Sequence, residues 1–416
     1  MIVLLKVELG ILVMSKKILI ISQYFYPENF RINDLTNSLQ SKGYDVTVLT
    51  GLPNYPSGNF FKGYNWFNLK SDKLYQGIKI IRLPIIPRGK NKIMLALNFL
   101  SFWLLGMIFN FFNKIKFDVV FTYGLSPILQ GAIGNQIAKK QKIKSILYLL
   151  DFWPHSITAV DGIKKGLIFN FIEKISKNIY LNSTKILVSS PAFIDPLVNY
   201  GNIKQKIIYW PQYYEEFYQP KIIDESKAPE IPLDGKINFT FTGNLGKAQG
   251  LDYFIDFLFL FRKEIVDLNI RFNFIGEGRG KLDLINKIND LKVGELVNFI
   301  SSKSSNLIPN YLGNSDFAFL IIKNDIFLNK TIPAKFQTYL ACGKPIFCIS
   351  KGYISDLINE NNLGIATNSY NFETIHNKLR DIINIGPHNF KTTIDYAKTN
   401  FSKDKLMQNL EKTLFS

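Results

Sequence analysis

The sequence predicts an α/β protein of two doubly wound parallel sheets that face each other across a cleft. Three observations predict it. Short apolar runs rich in Ile, Val, Leu and Phe alternate with segments of helical period, the order of a parallel sheet covered on both faces. The alternation occurs twice, from Lys17 and again from Lys236. The chain's 416 residues exceed one ordinary core and suit two domains of roughly 180 residues each.

In the first series "KILIISQYF" is a strand, "INDLTNSLQSKG" an amphipathic helix and "YDVTVLT" the next strand. The strands "IKIIRLP", "FDVVFTY", "KSILYLL" and "KILVSS" follow, with a helix through "ILQGAIGNQIAKK". The second series runs "INFTFTGN", "LDYFIDFLFLFRKEI", "IRFNFIGEG", "KLDLINKIND", "LVNFISS", "SDFAFLII" and "KPIFCIS", again in Rossmann-like order. Between them "YWPQYYEEFYQPKIIDESKAPEIPLDG", rich in Pro, aromatics and charge, reads as a hinge. The expected organisation is an N-terminal extension over 1–15, a first Rossmann-like domain over 16–210 and a hinge over 211–235. A second such domain spans 236–395 and a C-terminal helix 396–416.

The extension is apolar but interrupted by Lys6 and Glu8, and Met14 before "SKKILIIS" reads as a natural start. Fifty Lys and Arg against 33 Asp and Glu, a net charge of +17, suit an anionic partner such as a membrane surface or a phosphorylated substrate. Nucleic acid is not expected, since no binding motif accompanies the charge. Cys342 and Cys348 read as small buried hydrophobes of a reducing compartment.

The uncharged run Ile93 to Asn113, flanked by lysines, has the length of a membrane span. Strands of one sheet on both sides of it argue against a crossing. Two placements remain: a helix buried in the domain, or one lying in the membrane surface with Phe102, Trp103 and Phe109 toward lipid.

The stretch "FTGNLGKAQG" leaves a strand through Gly243, Gly246 and Gly250 and enters a helix, so backbone N–H groups and a positive dipole end point at one place. The guest expected there is an anion. The spacing matches neither G-x-x-x-x-G-K-[ST] nor G-x-G-x-x-G. No D-x-D pair exists to hold a divalent metal against a diphosphate, so no metal is expected and cations with N–H dipoles must serve instead.

In order, "ILIISQYFYPEN", "LQSKGYDVTVLT", "KILVSSPAF", "IIYWPQYYEEFYQP", "FTGNLGKAQGLD", "FIGEGRGKL" and "PAKFQTYLACGKPIF" resemble family 4 glycosyltransferases of the GT-B fold, from Met14 to Ser416. Within that family the likeness is to O-antigen, capsule and colanic acid transferases of the N-acetyl-L-fucosamine transferase type. The resemblance implies a UDP-sugar bound mainly by the second domain, an acceptor bound mainly by the first, and retention of anomeric configuration. It also implies a lipid-linked saccharide as acceptor, an anionic membrane surface as partner, and a cytoplasmic, peripheral location on the inner face of the cell membrane. No cofactor beyond the UDP-sugar co-substrate is implied.

On this resemblance Gly243, Asn244, Lys247 and Gln249 form the diphosphate turn, with Lys247 as countercharge to the leaving group; Gly276 and Arg279 approach it from the next strand. Many relatives have Arg where Asn244 stands and Lys where Gln249 stands. Two glutamates usual in the family are replaced by Lys330 and Thr338, which leaves ribose recognition without its carboxylate, while Lys335 opens the helix there beside Thr338 as a donor-binding residue. Asp151 and His155 of "LLDFWPHS" are placed for acceptor deprotonation, although relatives have Glu at the position of His155. Glu28, Asn29 and Arg31 replace a usual glycine pair and are expected at the acceptor. Two other readings share the architecture: a UDP-sugar 2-epimerase and a non-catalytic membrane-bound sugar-binding subunit.

Overall fold

The computed structural model describes residues 15–67, 74–156 and 166–416. The extension expected over 1–15 lies, apart from Ser15, outside the described residues. The N-terminal strands are β1 (Lys17–Ile21), β2 (Asp45–Gly51), β3 (Leu74–Tyr75), β4 (Ile78–Leu83), β5 (Val119–Gly124), β6 (Lys144–Leu149), β7 (Lys185–Val188) and β8 (Ile207–Tyr209). They form one sheet in the order β3-β4-β2-β1-β5-β6-β7-β8, parallel except for the β3–β4 hairpin. The C-terminal strands are β9 (Ile237–Thr242), β10 (Ile270–Ile275), β11 (Val297–Ile300), β12 (Phe317–Ile321), β13 (Ile346–Ile349) and β14 (Gly364–Thr367). Their order, β11-β10-β9-β12-β13-β14, is the doubly wound one, with a switch point between β9 and β12. The two domains are therefore both Rossmann-like, as the alternation predicts.

Strands buried on both faces need apolar side chains throughout, and "KILII", "VVFTYG" and "FAFLI" supply them. The sheet faces are covered by separate cores: Ile18, Ile20, Val48 and Phe121 on one side of the first sheet, Leu19, Ile21, Leu49 and Val120 on the other. Both cysteines are free and buried within the second domain.

Two differences from the sequence reading bear on the site. The C-terminal segment is not one helix over 396–416 but two, Thr393–Phe401 and Lys403–Phe415. The last of these carries Leu406, Met407, Leu410 and Leu414 back into the core of the first domain, against Ile18, Tyr148 and Trp210. Its i, i+4 spacing of apolar residues requires such a partner.

The second difference concerns the long apolar helix, Lys92–Phe112. It is long and apolar enough to cross a membrane by length and composition. However, β4 before it and β5 after it are strands of one sheet, and it packs on that sheet and on the helix Gln130–Gln141. Gly106 makes the close approach possible, since a Cβ there would stand 2.3 Å from Ile133 Cδ1. The buried face is Leu95, Asn98, Phe102 and Gly106. Phe102 is 1% exposed, and Trp103 and Phe109 are half-buried against the same core, so the three aromatics expected toward lipid point inward. The exposed stripe is instead Ile93, Leu97, Leu100, Leu104, Ile108 and Phe111, at helical spacing.

Phe102→Ser should accordingly cost roughly 3–5 kcal/mol, because a cavity opens in the core and a hydroxyl is buried. Phe111→Ser, at a side chain 76% exposed, should stay within about 0.5 kcal/mol of the parent. Urea unfolding of both variants distinguishes the two faces; equal midpoints would contradict this orientation.

Candidate active site

In a doubly wound sheet the carboxyl ends of the strands at the switch point leave a crevice, and two such crevices face each other here. They enclose a cavity of about 930 Å3. Its walls come from the loops after β1 (Asn29, Phe30, Arg31), β5 (Leu125, Ser126, Pro127) and β6 (Leu150, Asp151), and from the second domain's Ala248, Gln249, Ile322 and Thr331.

On the second domain's side, β9 ends in the glycine turn. Gly243 has φ +116° and Gly276 has φ +152°, and a Cβ on Gly276 would stand 1.9 Å from the Gly243 carbonyl oxygen. Gly243 N–H donates to Ile275 and Leu245 N–H to Glu277, both carbonyls of the neighbouring strand exit. The N–H groups of Asn244, Gly246 and Ala248 have no acceptor among the described residues, so this turn presents donors outward. Lys247 opens a short 3₁₀ turn, Lys247–Gln249, at the cavity's lip; its side chain lies outside the described part of the structure.

Lys335 lies behind that turn. Its ammonium stands 3.4 Å from the centroid of the Phe241 ring and donates to Gln249 Oε1 at 3.0 Å. It is also close to Gly243, 3.8 Å from where a Cβ would be. No carboxylate among the described residues is in ion-pair range, and burial holds its pKa well below the ordinary lysine range. Gln249 thus connects the cavity to a cation without a counterion. Gly243, Asn244 and Arg279 are exposed beside the turn and Gly276 is buried in it, all four outside the cavity lining. Thr338 is buried, donates its hydroxyl to the Lys335 carbonyl at 2.9 Å and does not line the cavity.

On the first domain's side, Asp151 lines the cavity. Its Oδ2 accepts from the Ser126 hydroxyl at 2.8 Å and the Ser126 N–H at 3.3 Å; that hydroxyl also accepts from Trp153 Nε1 at 2.7 Å. Burial raises the Asp151 pKa against these hydrogen bonds, the shift a proton acceptor near neutrality needs. His155 does not reach the cavity: it packs on Phe327 of the second domain at 3.9 Å between ring centroids, and against Phe152 and Phe169.

Asn29 is exposed at the cavity wall. Glu28 is not there; it accepts from the backbone N–H groups of Phe25, Asn54 and Tyr55 and ties two loops together. Burial pushes its pKa up to about 7, while those three donors pull the other way. Arg31 lines the cavity, but its guanidinium is held by Glu215 at 3.2 Å and Gln212 at 2.9 Å, both from the hinge. Sequence reasoning missed Ser126, Arg88 and Lys92, all at the cavity wall. Ser126 had a signal, since it follows directly on a strand's carboxyl end.

Two facing Rossmann-like domains with a cleft at both switch points define a GT-B fold. Solved structures agree. The chain is similar to sucrose-phosphate synthase from Thermosynechococcus elongatus, with TM-score 0.74 and 13% identity over 96% of this chain and 98% of that one. It is similar to Anabaena Alr3699/HepE in complex with UDP and glucose, with TM-score 0.69 and 14% identity over 97% and 100%. A third is WaaG, a glycosyltransferase involved in lipopolysaccharide biosynthesis, with TM-score 0.68 and 12% identity over 95% and 99%. Comparison with curated proteins finds no match. Residues 223–399 match the family model described as Glycosyl transferases group 1. The chain has the GT-B fold, with the group 1 match lying over most of its second domain.

The glycine crossing carries a structural prediction. Gly276→Ala should lower stability by roughly 1–3 kcal/mol through overpacking against Gly243. Gly294→Ala, whose Cβ would meet nothing nearer than 4.0 Å, should be near neutral. Thermal melts of the pair test this; a Gly276→Ala protein as stable as its Gly294→Ala control would contradict the crossing.

Proposed function

We propose that the chain is a glycosyltransferase that retains anomeric configuration and moves an N-acetylated deoxy-amino sugar from a UDP-sugar to a polyprenyl-diphosphate-linked saccharide, in O-antigen or capsule assembly at the inner membrane face. The observation that carries the donor half is the glycine turn backed by Lys335: outward N–H donors and a buried cation suit a diphosphate. Neighbours of the same fold solved with UDP and UDP-glucose support that reading. The acceptor half rests on Asp151, held by Ser126 at the first domain's wall of the cavity. The exposed apolar stripe of the long helix and the net charge of +17 support a membrane location.

In this mechanism Asp151 accepts or orients the proton of the acceptor hydroxyl, and the turn's N–H groups, Lys247 and Lys335 take up charge as the sugar–phosphate bond breaks. The test is mass spectrometry of a membrane extract incubated with purified protein and a panel of UDP-sugars. It is run in EDTA, since we propose that no metal takes part. A sugar added to a lipid-linked product is the expected outcome. Conversion of UDP-sugar alone would point to the epimerase, and UDP-sugar binding without turnover to the non-catalytic subunit.

Lys247→Ala should lower kcat more than it weakens donor binding, by roughly 30- to 1000-fold, the usual cost of removing one such contact of about 2 to 4 kcal/mol. Steady-state kinetics against donor titrations separates the two; an unaffected kcat transfers the role to Lys335.

Lys335 sets a pH dependence. Burial depresses its pKa in the free protein, and a bound diphosphate beside it favours the ammonium and raises that pKa. Binding therefore takes up a proton between the two values, and UDP affinity falls as pH rises through that window. Calorimetry of UDP binding in buffers of different ionisation enthalpy should show the uptake, and Lys335→Met should abolish it. Uptake unchanged in the variant would contradict the assignment.

A further inference from the structure

The cavity is too apolar on one side for a nucleotide sugar and a saccharide alone. Leu95, Phe99 and Leu100 of the helix Lys92–Phe112 line it together with Phe171, Ile172 and Ile175 of the helix Leu167–Asn182. These residues make one groove between two helices. It opens outward: Leu100 belongs to the exposed apolar stripe, and Phe171 is 65% exposed beside the exposed Leu167 and Ile168.

The groove's other end is basic. Arg88 and Lys92 line the same cavity, and Lys92 starts the long helix, whose first-turn N–H groups and positive dipole end lie there. The Arg88 guanidinium lies 5.9 Å from the ring centroid of Phe99, a groove residue, and 5.3 Å from that of Tyr55. It donates to the Tyr24 hydroxyl at 2.7 Å, and no carboxylate among the described residues is in ion-pair range of it. Among the described residues, the acids lining the cavity are Asp151, bound by Ser126, and Glu215, bound by Arg31. A cationic head site continuous with one apolar groove is the complement of a single-chain amphiphile carrying more than one negative charge.

We propose that Arg88, at the end of the groove where the long helix begins, binds the diphosphate of the lipid-linked acceptor, and that the groove of Leu95, Phe99, Leu100, Phe171 and Ile175 holds the first isoprene units of its chain. This rests on the polyprenyl-diphosphate reading above and adds a place for the chain inside the cleft as well as in the bilayer. It puts the saccharide beyond the diphosphate, toward Asp151.

The probe is farnesyl diphosphate, titrated into the full chain with and without saturating UDP, with Trp103 in the cavity wall as fluorescent reporter. Inorganic diphosphate and lysophosphatidate are the comparisons. In saturating UDP, which fills the donor site, farnesyl diphosphate should bind at least ~10-fold more tightly than inorganic diphosphate, since each buried methylene adds to affinity. Phe171→Glu should weaken it ~10-fold, and Arg88→Gln should weaken farnesyl and inorganic diphosphate alike. UDP binding should be unchanged in both. Phe111→Glu, on the outward stripe, should reduce binding to anionic vesicles yet leave farnesyl diphosphate binding as in the parent. Equal affinity for inorganic and farnesyl diphosphate overturns the groove, and so does lysophosphatidate binding as tightly as farnesyl diphosphate. Failure to bind UDP, with the farnesyl result standing, overturns the donor reading instead.

Discussion

The chain leaves its first domain once and returns once, and both crossings are pinned to the same turn of one helix. Arg31 and Asp34 lie one turn apart at the start of the helix Arg31–Ser41. Arg31 holds the outgoing hinge through Gln212 and a two-pronged pair with Glu215; Asp34 accepts from Tyr213 of the hinge and from Lys403 of the returning helix. Trp210 adds a hydrogen bond to the Leu406 carbonyl at 2.8 Å. A guanidinium so placed is costly to leave unpaired, by roughly 3–5 kcal/mol when one partner of a buried pair is removed. The width of the cleft therefore depends on a charge at its own wall. Arg31 has the side chain expected of an acceptor ligand, but its donors are committed to fixing where the second domain hangs. The returning helix Lys403–Phe415 then completes the first domain's core.

Around that frame the proposed donor site is made from backbone and one buried cation. Gly276 lies too close to the Gly243 carbonyl for a Cβ, Gly243 itself has φ +116°, and the N–H groups beyond them have no acceptor among the described residues. The carboxylates that relatives use are absent at Lys330 and Thr338, and Thr338 satisfies its own helix instead. What remains is Lys335, resting on the Phe241 ring and donating a hydrogen bond to the Gln249 amide oxygen. An ammonium with an aromatic face and a neutral amide has an incompletely balanced charge. That imbalance favours an anionic guest and is itself the reason that the lysine's pKa is depressed before the guest arrives.

Both sheets and the glycine turn were legible in the sequence because their signals are local: period-two apolar runs, and glycines where a strand ends. What the sequence did not disclose is direction and partnership. Glu28, Asn29 and Arg31 stand within four positions, yet one ties loops, one lines the cavity and one holds the hinge; only the arrival of Asn54 and Glu215 from elsewhere decides between them. His155 has the chemistry of a base, but Phe327 reaches across from the other domain and occupies its ring. The helix Lys92–Phe112 is apolar all round, so its periodicity could not show which face was inward. Asn98 shows it in the structure, being the polar residue held between Gln23 and the Ile86 carbonyl.

The helix Lys92–Phe112 also shows how an element with an exposed apolar face remains part of a folded domain. Its buried face is narrow, and much of the apolar surface it presents to water is unfavourable. Polar anchors secure what burial alone does not: Asn91 caps its N-terminus, Asn98 joins it to the loop after β1, and Lys140 donates to the Asn110 and Phe111 carbonyls at its end. Anchoring by hydrogen bonds frees the remaining faces from the work of folding. One apolar face can then stay exposed and another line the cavity, while the residues between them stay packed on the sheet. A helix held only by its hydrophobic face could not turn apolar residues outward without giving up contacts that position the cavity wall.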